Sequence, residues 1–255
     1  MKVRMSLSLL GSAAILLGTA CMTAQGIQPV GVSGANQAVP YADGAITLMI
    51  HDYAHMNRKA LQTAEREATS ILAKAGINAR WVDCPISHTD LGNYSDCQSA
   101  WQANDYTLNV EPNAMADLLV KSPSALGATV DCDMAPCSTN VFYDRVSDLA
   151  GWHTAPSEVL LGRVMARQIG QLLLGTNYHS RTGIMQASWS GRQLGMGNEM
   201  LFTPEESSAM KAGLAVQEHA WQSRHDAGQT QVEIAGRGNE PGASPANRDT
   251  ADNRR

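Results

Sequence analysis

Aromatic residues are scarce in this 255-residue chain: 5% of the sequence, with two phenylalanines. A core must therefore be built largely from Leu, Ile, Val, Met and Ala. Positive charge is also in short supply. The net charge of −5 leaves no basic footprint, which argues against nucleic acid as a partner. The apolar run at residues 9–17 (LLGSAAILL) falls short of the roughly 20 residues that cross a bilayer. The CxxC pairs of a structural zinc site are missing. So are a Gly-rich phosphate loop, a nucleophile elbow and any internal repeat, and Ser, His and Asp cannot be grouped into a triad from sequence.

The beginning of the chain carries a different signal. Lys2 and Arg4 precede the apolar run, and Gly18, Thr19 and Ala20 follow it, the layout of an export signal. Cleavage is expected after Ala20 or around residues 24–26, giving a secreted or periplasmic protein. Cleavage before Cys21 would instead leave a lipid-anchored protein, because residues 17–21 (LGTAC) loosely resemble a lipobox, with Gly18 where that pattern prefers Leu. Membrane contact is expected only through that anchor. Besides Cys21 there are four cysteines, Cys84, Cys97, Cys132 and Cys137. An even number in an exported chain argues for disulfides, with three pairings open. The pairing that closes the shortest loops, Cys84–Cys97 with Cys132–Cys137, is the expectation.

Composition divides the chain into an export signal (1–26), a Gly- and Pro-rich linker (27–42), a folded domain (43–225) and a polar tail (226–255) expected to be disordered. Within the domain, residues 45–51 (AITLMIH) read as a strand, and Leu61, Ala64, Ala68, Ile71, Leu72 and Ala75 recur at helical spacing over 58–75, stopped by Gly76. Strands are expected at 77–82, 106–110, 124–130 and 140–143, a short helix at 112–119 and a polar loop at 85–104. A long helix begins near Ser157, capped by Thr154 or Ser157 and favoured by Glu158, and ends at Leu174. A last helix starts at Pro204 behind Thr203 and reaches about Arg224. The order implies an α+β fold (mixed α/β) with one mixed sheet, a helix packed on it, a long helix and a C-terminal helix.

Residues 164–185 (VMARQIGQLLLGTNYHSRTGIM) are the most informative stretch. Residues four apart on a helix lie about 40° apart in projection. Arg167 and Gln171 therefore share a face, with Gln168 beside them, while Leu161, Met165, Ile169 and Leu172 take the opposite side. Gly175 ends the helix, and His179–Ser180 and Gly183–Ile184–Met185 follow.

This layout resembles the active-site segment of zincin-type zinc metallopeptidases, closest to the metzincin or matrixin pattern, in a divergent bacterial secreted branch. The resemblance implies a zincin-like fold and places ligand positions at Arg167, Gln171 and His179, the general base at Gln168, the helix-ending glycine at Gly175 and the Met-turn at Met185. The glycine and histidine stand ninth and thirteenth counted from Arg167, where the family pattern has eighth and eleventh. Arg167 has no lone pair for a metal, Gln168 cannot take a proton from water, and the Gln171 amide is a poor substitute for imidazole. No catalytic residue is thus intact. The resemblance implies an inactive pseudo-peptidase that binds peptide or protein in a remnant cleft, without a cofactor. One alternative is an active zinc enzyme in which His153 or His51 joins His179. Another is a secreted or envelope-associated structural domain. His51, His55, His219 and His225 read as surface residues.

Overall fold

The structure is a computed structural model and describes residues 44–99, 101–129, 137–152, 156–195 and 200–237. The expected export signal, linker, Cys21, Cys132, Thr154, His153 and the chain beyond residue 237 lie outside the described residues.

The apolar alternation Ile46, Leu48, Ile50 forms β1 (Ala45–Asp52), flanked by β2 (Asn78–Cys84) and β3 (Asp105–Glu111). β5 (Cys137–Phe142) continues the sheet, and β4 (Gly127–Thr129) closes its far edge. The order is β2-β1-β3-β5-β4, with β4 antiparallel to β5 and the other neighbours parallel. This is the expected mixed α/β fold with one mixed sheet. Strand sides alternate with period 2, so Ile46, Leu48, Ile50, Tyr106, Leu108, Val110 and Val141 enter one core. On the other face Met49, Val82 and Cys84 pack with Cys97 and Trp101.

Two long helices cover the main core, α1 (Arg58–Lys74) and α4 (Ser157–Leu174), with α2 (Asn113–Leu119) and α3 (Tyr143–Gly151) between them in the chain. α1 has the expected apolar stripe, capped by Asn57 at its start and followed by Gly76 at φ +77°. α1 and α4 cross closely at Gly162, where a Cβ would stand 2.5 Å from the Ala64 carbonyl oxygen and 2.6 Å from Glu67 Cβ. Beside the crossing, buried Arg163 meets Glu67 at 3.4 Å and donates to the carbonyls of Gln193 and Leu194. These carbonyls lie in the short helix α5 (Gly191–Gly195). α6 (Pro204–Arg237) opens with a reciprocal cap: Glu206 N–H donates to Thr203 Oγ1 at 3.2 Å and Thr203 N–H to Glu206 Oε2 at 2.8 Å.

Several expectations shift. α3 and α5 were not anticipated: Tyr143 starts a helix instead of finishing a strand, because Val146 and Ala150 face the core one turn apart. β5 begins at Cys137, earlier than expected, and β4 is shorter than the predicted 124–130 strand. Neither expected cap closes α4. Pro156 occupies the cap position, and Ser157, already helical, donates its hydroxyl to Glu158 Oε2. α6 runs on to Arg237, past the expected stop near Arg224 and into the stretch read as tail. The polar loop at 85–104 contains two 3-10 turns, His88–Asn93 and Ser95–Gln98. No helix among the described residues is long and apolar enough to cross a membrane.

The Cys84–Cys97 disulfide forms as expected, with the Cα atoms 5.8 Å apart. The second expected pairing is not made: Cys137 is a free thiol buried in the main core at the start of β5. The disulfide ties the polar loop to the sheet and supplies two of the five residues of the small second core. Replacing Cys84 and Cys97 together by Ser is therefore expected to lower stability by about 3 kcal/mol, the size for a loop of this length, read as a shifted denaturant midpoint.

A partly buried acid, Glu65, gives the fold a pH dependence. Burial, followed by the neighbouring Asp83 carboxylate, raises Glu65 from 4.5 to about 7, and Glu65 Oε1 is buried without a hydrogen-bond partner. Folded protein holds this proton at pH values where unfolded chain has released it. The contribution of Glu65 is therefore full below 4.5 and lost as pH rises towards 7. Wild-type protein should melt lower at about pH 8 than at about pH 5, and Glu65→Gln should reduce that difference and raise the melting temperature on the alkaline side.

Candidate functional site: a cleft along the long helix

From Leu160 to Gln171, α4 is buried at every residue except Arg167. Polar residues in such a helix need partners, since an unsatisfied buried group costs about 1–3 kcal/mol. The sheet supplies them for the two glutamines. Thr139 lies on the same face of β5 as Val141, and its register partner on β4 is Thr129. The two hydroxyls are 2.8 Å apart. Gln168 Oε1 accepts from Thr129 at 3.0 Å and from Thr139 at 3.4 Å, and Gln171 Oε1 accepts from Thr129 at 3.4 Å. Each threonine has one hydroxyl proton, so these acceptors share them. Gly127 makes the approach possible: a Cβ there would lie 2.8 Å from Gln168 Cδ and 2.5 Å from the Asn140 carbonyl oxygen.

Arg167 makes none of these contacts with the threonines. Its guanidinium lies 5.4 Å from the Trp189 ring centre and donates to the Ala187 carbonyl at 3.4 Å, while its Nε is buried without a partner. Burial lowers its pKa. Trp189 is held in place by a 3.0 Å hydrogen bond from Nε1 to the Ile184 carbonyl.

The chain beyond α4 folds back under the helix. Gly175 ends α4 as expected, at φ +109° and ψ 143°, with its N–H on the Gln171 carbonyl. Ser180 N–H donates to the Met185 carbonyl, and Ile184 N–H to the Leu201 carbonyl. Met185 is fully buried. Its sulfur would be 2.9 Å from a Cβ on Gly170, so this glycine lets the loop seat against the helix.

Together these elements enclose a cleft of about 660 Å³. Arg167, Gln168, Gln171 and His179 all line it, with Thr129, Trp189 and the apolar side chains of Leu119, Leu126, Leu149 and Leu194. The four positions singled out in the sequence thus meet in one cavity, His179 on its exposed rim. Met185 lies beneath the helix. His51 does not line the cleft; its Nδ1 stands 3.2 Å from the Pro85 carbonyl oxygen and its ring stacks on Tyr53. It is thus no partner for His179. His55, His219 and His225 are exposed and likewise lie outside the cleft lining.

The residues do not fit a zinc ion. An arginine stands at one ligand position, and the amide oxygens of Gln168 and Gln171 are engaged by threonine hydroxyls. Among the described residues no group of three or more His, Cys, Asp or Glu could hold a metal ion. Three contributors escaped the sequence reading. Thr129 and Thr139 are inward-facing positions on strands whose ends were misplaced. Trp189 follows Met185 by four residues, and only the folded loop sets it against Arg167.

Gly127 tests the coupling of sheet edge and helix. Gly127→Ala should destabilise by about 1–3 kcal/mol, the usual cost of overpacking, and should loosen Gln168. Chemical denaturation measures the first, and the Thr129 and Thr139 NMR signals report the second.

No protein-family model matches the chain, and no curated protein matches it. Among solved structures, it is similar to the crystal structure of archaemetzincin from Methanopyrus kandleri. The two are 12% identical with a TM-score of 0.39, over 69% of this chain and 99% of that one.

Proposed function

We propose that this chain is an exported zincin-like peptidase homologue that has lost its catalytic zinc and keeps its cleft for binding peptide or protein. The observation that carries the reading is the convergence of Arg167, Gln168, Gln171 and His179 on one cleft, above a buried Met185. A core helix with a polar stripe would not by itself need the glycine, the histidine loop and the methionine in that order. The polar groups that would serve a metal have other tasks here. Gln168 and Gln171 tie α4 to the sheet edge, and Arg167 places a cation where an ion would sit.

Peptide binding is supported by the edge of the sheet. β4 is paired on one side, by β5, among the described residues, and Gly127, Ala128 and Thr129 line the cleft. An extended peptide could add there as a further strand, its side chains meeting the apolar wall. Secretion as a soluble protein or attachment through a lipid on Cys21 are both compatible with this use.

Purified protein, prepared without chelator, is expected to carry no stoichiometric zinc and to leave an unbiased peptide pool uncut. One tightly held zinc per chain together with hydrolysis would overturn the proposal. Arg167→His, Gln168→Glu and Gln171→His combined should restore zinc uptake, measured by metal analysis after dialysis. A folded triple variant that takes up no zinc would count against the zincin-like frame.

A further inference from the structure

The cleft has a charge pattern that the loss of a metal does not explain. The chain as a whole is acidic, with a net charge of −5. Yet no Asp or Glu is among the described residues lining this cleft, whose ionisable members are Arg167 and His179. Elsewhere four arginines pair with carboxylates, Arg58 with Asp83, Arg80 with Asp96, Arg145 with Asp117 and Arg163 with Glu67, and Arg66, Arg181, Arg192 and Arg224, which have no such pair among the described residues, are exposed to solvent. Arg167 has no carboxylate within ion-pair distance among the described residues. Its protein partners are a 3.4 Å bond to the Ala187 carbonyl and the face of Trp189, and its Nε is buried without an acceptor.

A half-buried guanidinium without a counter-ion is an unfavourable arrangement for a purely structural residue. It is favourable for a site that awaits an anion. Arginine presents a planar fork of donors that matches a carboxylate with two parallel hydrogen bonds. The neighbouring amides extend the donor set. Gln168 and Gln171 have their oxygens turned to Thr129, and their Nε2 groups have no acceptor among the described residues. The remainder of the lining is largely apolar or small, including Leu126, Leu149 and Leu194.

We infer that the cleft takes its ligand by a carboxylate, with Arg167 as the counter-ion and the apolar wall receiving the adjoining side chain. The inference rests on the peptide-binding reading and specifies it. The carboxylate can come from a peptide C-terminus or from an internal Asp or Glu, and both present the same chemistry to Arg167.

The test uses the full mature chain and a pool of short labelled peptides in three forms: free C-terminal acids, C-terminal amides containing Asp or Glu, and amides lacking any carboxylate. Binding is read by fluorescence anisotropy at low and high salt. Carboxylate-bearing peptides are expected to bind at least about tenfold more tightly than uncharged amides, the scale of one charge-assisted pair, and to weaken as salt rises. Preference for the first form identifies a chain terminus, and for the second an acidic side chain. Arg167→Gln should abolish the preference, and Arg167→Lys should keep part of it, because a point charge replaces the fork. Melting temperatures confirm that both variants fold, and if Arg167→Gln does not, the Lys variant and the salt series still decide. Equal binding of all three forms would overturn the inference and leave the peptide-binding reading standing. No binding by any form would overturn both.

Discussion

A helix enclosed on nearly every side must find partners for the polar groups it carries, and α4 does so through the Arg163 guanidinium and the amide oxygens of Gln168 and Gln171. Arg163 has Glu67 and the carbonyls that end α5. Gln168 and Gln171 have the paired threonines of β4 and β5. The rest of the architecture follows from seating this helix. Gly162 lets α1 approach, Gly170 receives Met185, and Gly127 gives Gln168 room at the sheet edge. Arg167 stands apart: it is the one residue between Leu160 and Gln171 that is not buried, and it opens onto the cleft.

That contrast separates scaffold from site. The glutamines are well explained as structure, since their oxygens satisfy buried hydroxyls. The arginine is poorly explained as structure, since its charge is partly desolvated and has no counter-ion nearby among the described residues. A cleft whose floor is built by buried amides and whose charge is left open suits recognition of an anion better than hydrolysis through a metal.

Much of the fold could be read from the sequence, for physical reasons that also explain the failures. α1 and α4 were legible because their apolar spacing extends over several turns, and the start of α6 because Thr203, Pro204 and Glu206 form a local cap. Strand β1 and the Cys84–Cys97 bridge were equally local signals. β4 and α3 were not, because a three-residue edge strand has no periodicity, and Tyr143 continues the β-type composition of Asn140–Phe142 while already turning into helix. Among site residues, Arg167, Gln168, Gln171 and His179 were found through the resemblance of residues 164–185 to a zincin active-site segment. Their partners Thr129, Thr139 and Trp189 were missed because contacts across 42, 29 and 22 residues are made by tertiary packing. The pairing of Cys132 with Cys137 failed on a similar ground: strand β5 starts at Cys137 and carries its side chain into the core.

The central claim is that arginine chemistry has replaced metal chemistry in this cleft. Anomalous diffraction at the zinc edge, from crystals equilibrated with zinc and free of chelator, tests it most directly. The account predicts no anomalous peak among Arg167, Gln171 and His179, with the guanidinium in its place beside Trp189. A well-occupied zinc peak there, with Arg167 swung aside, would contradict it.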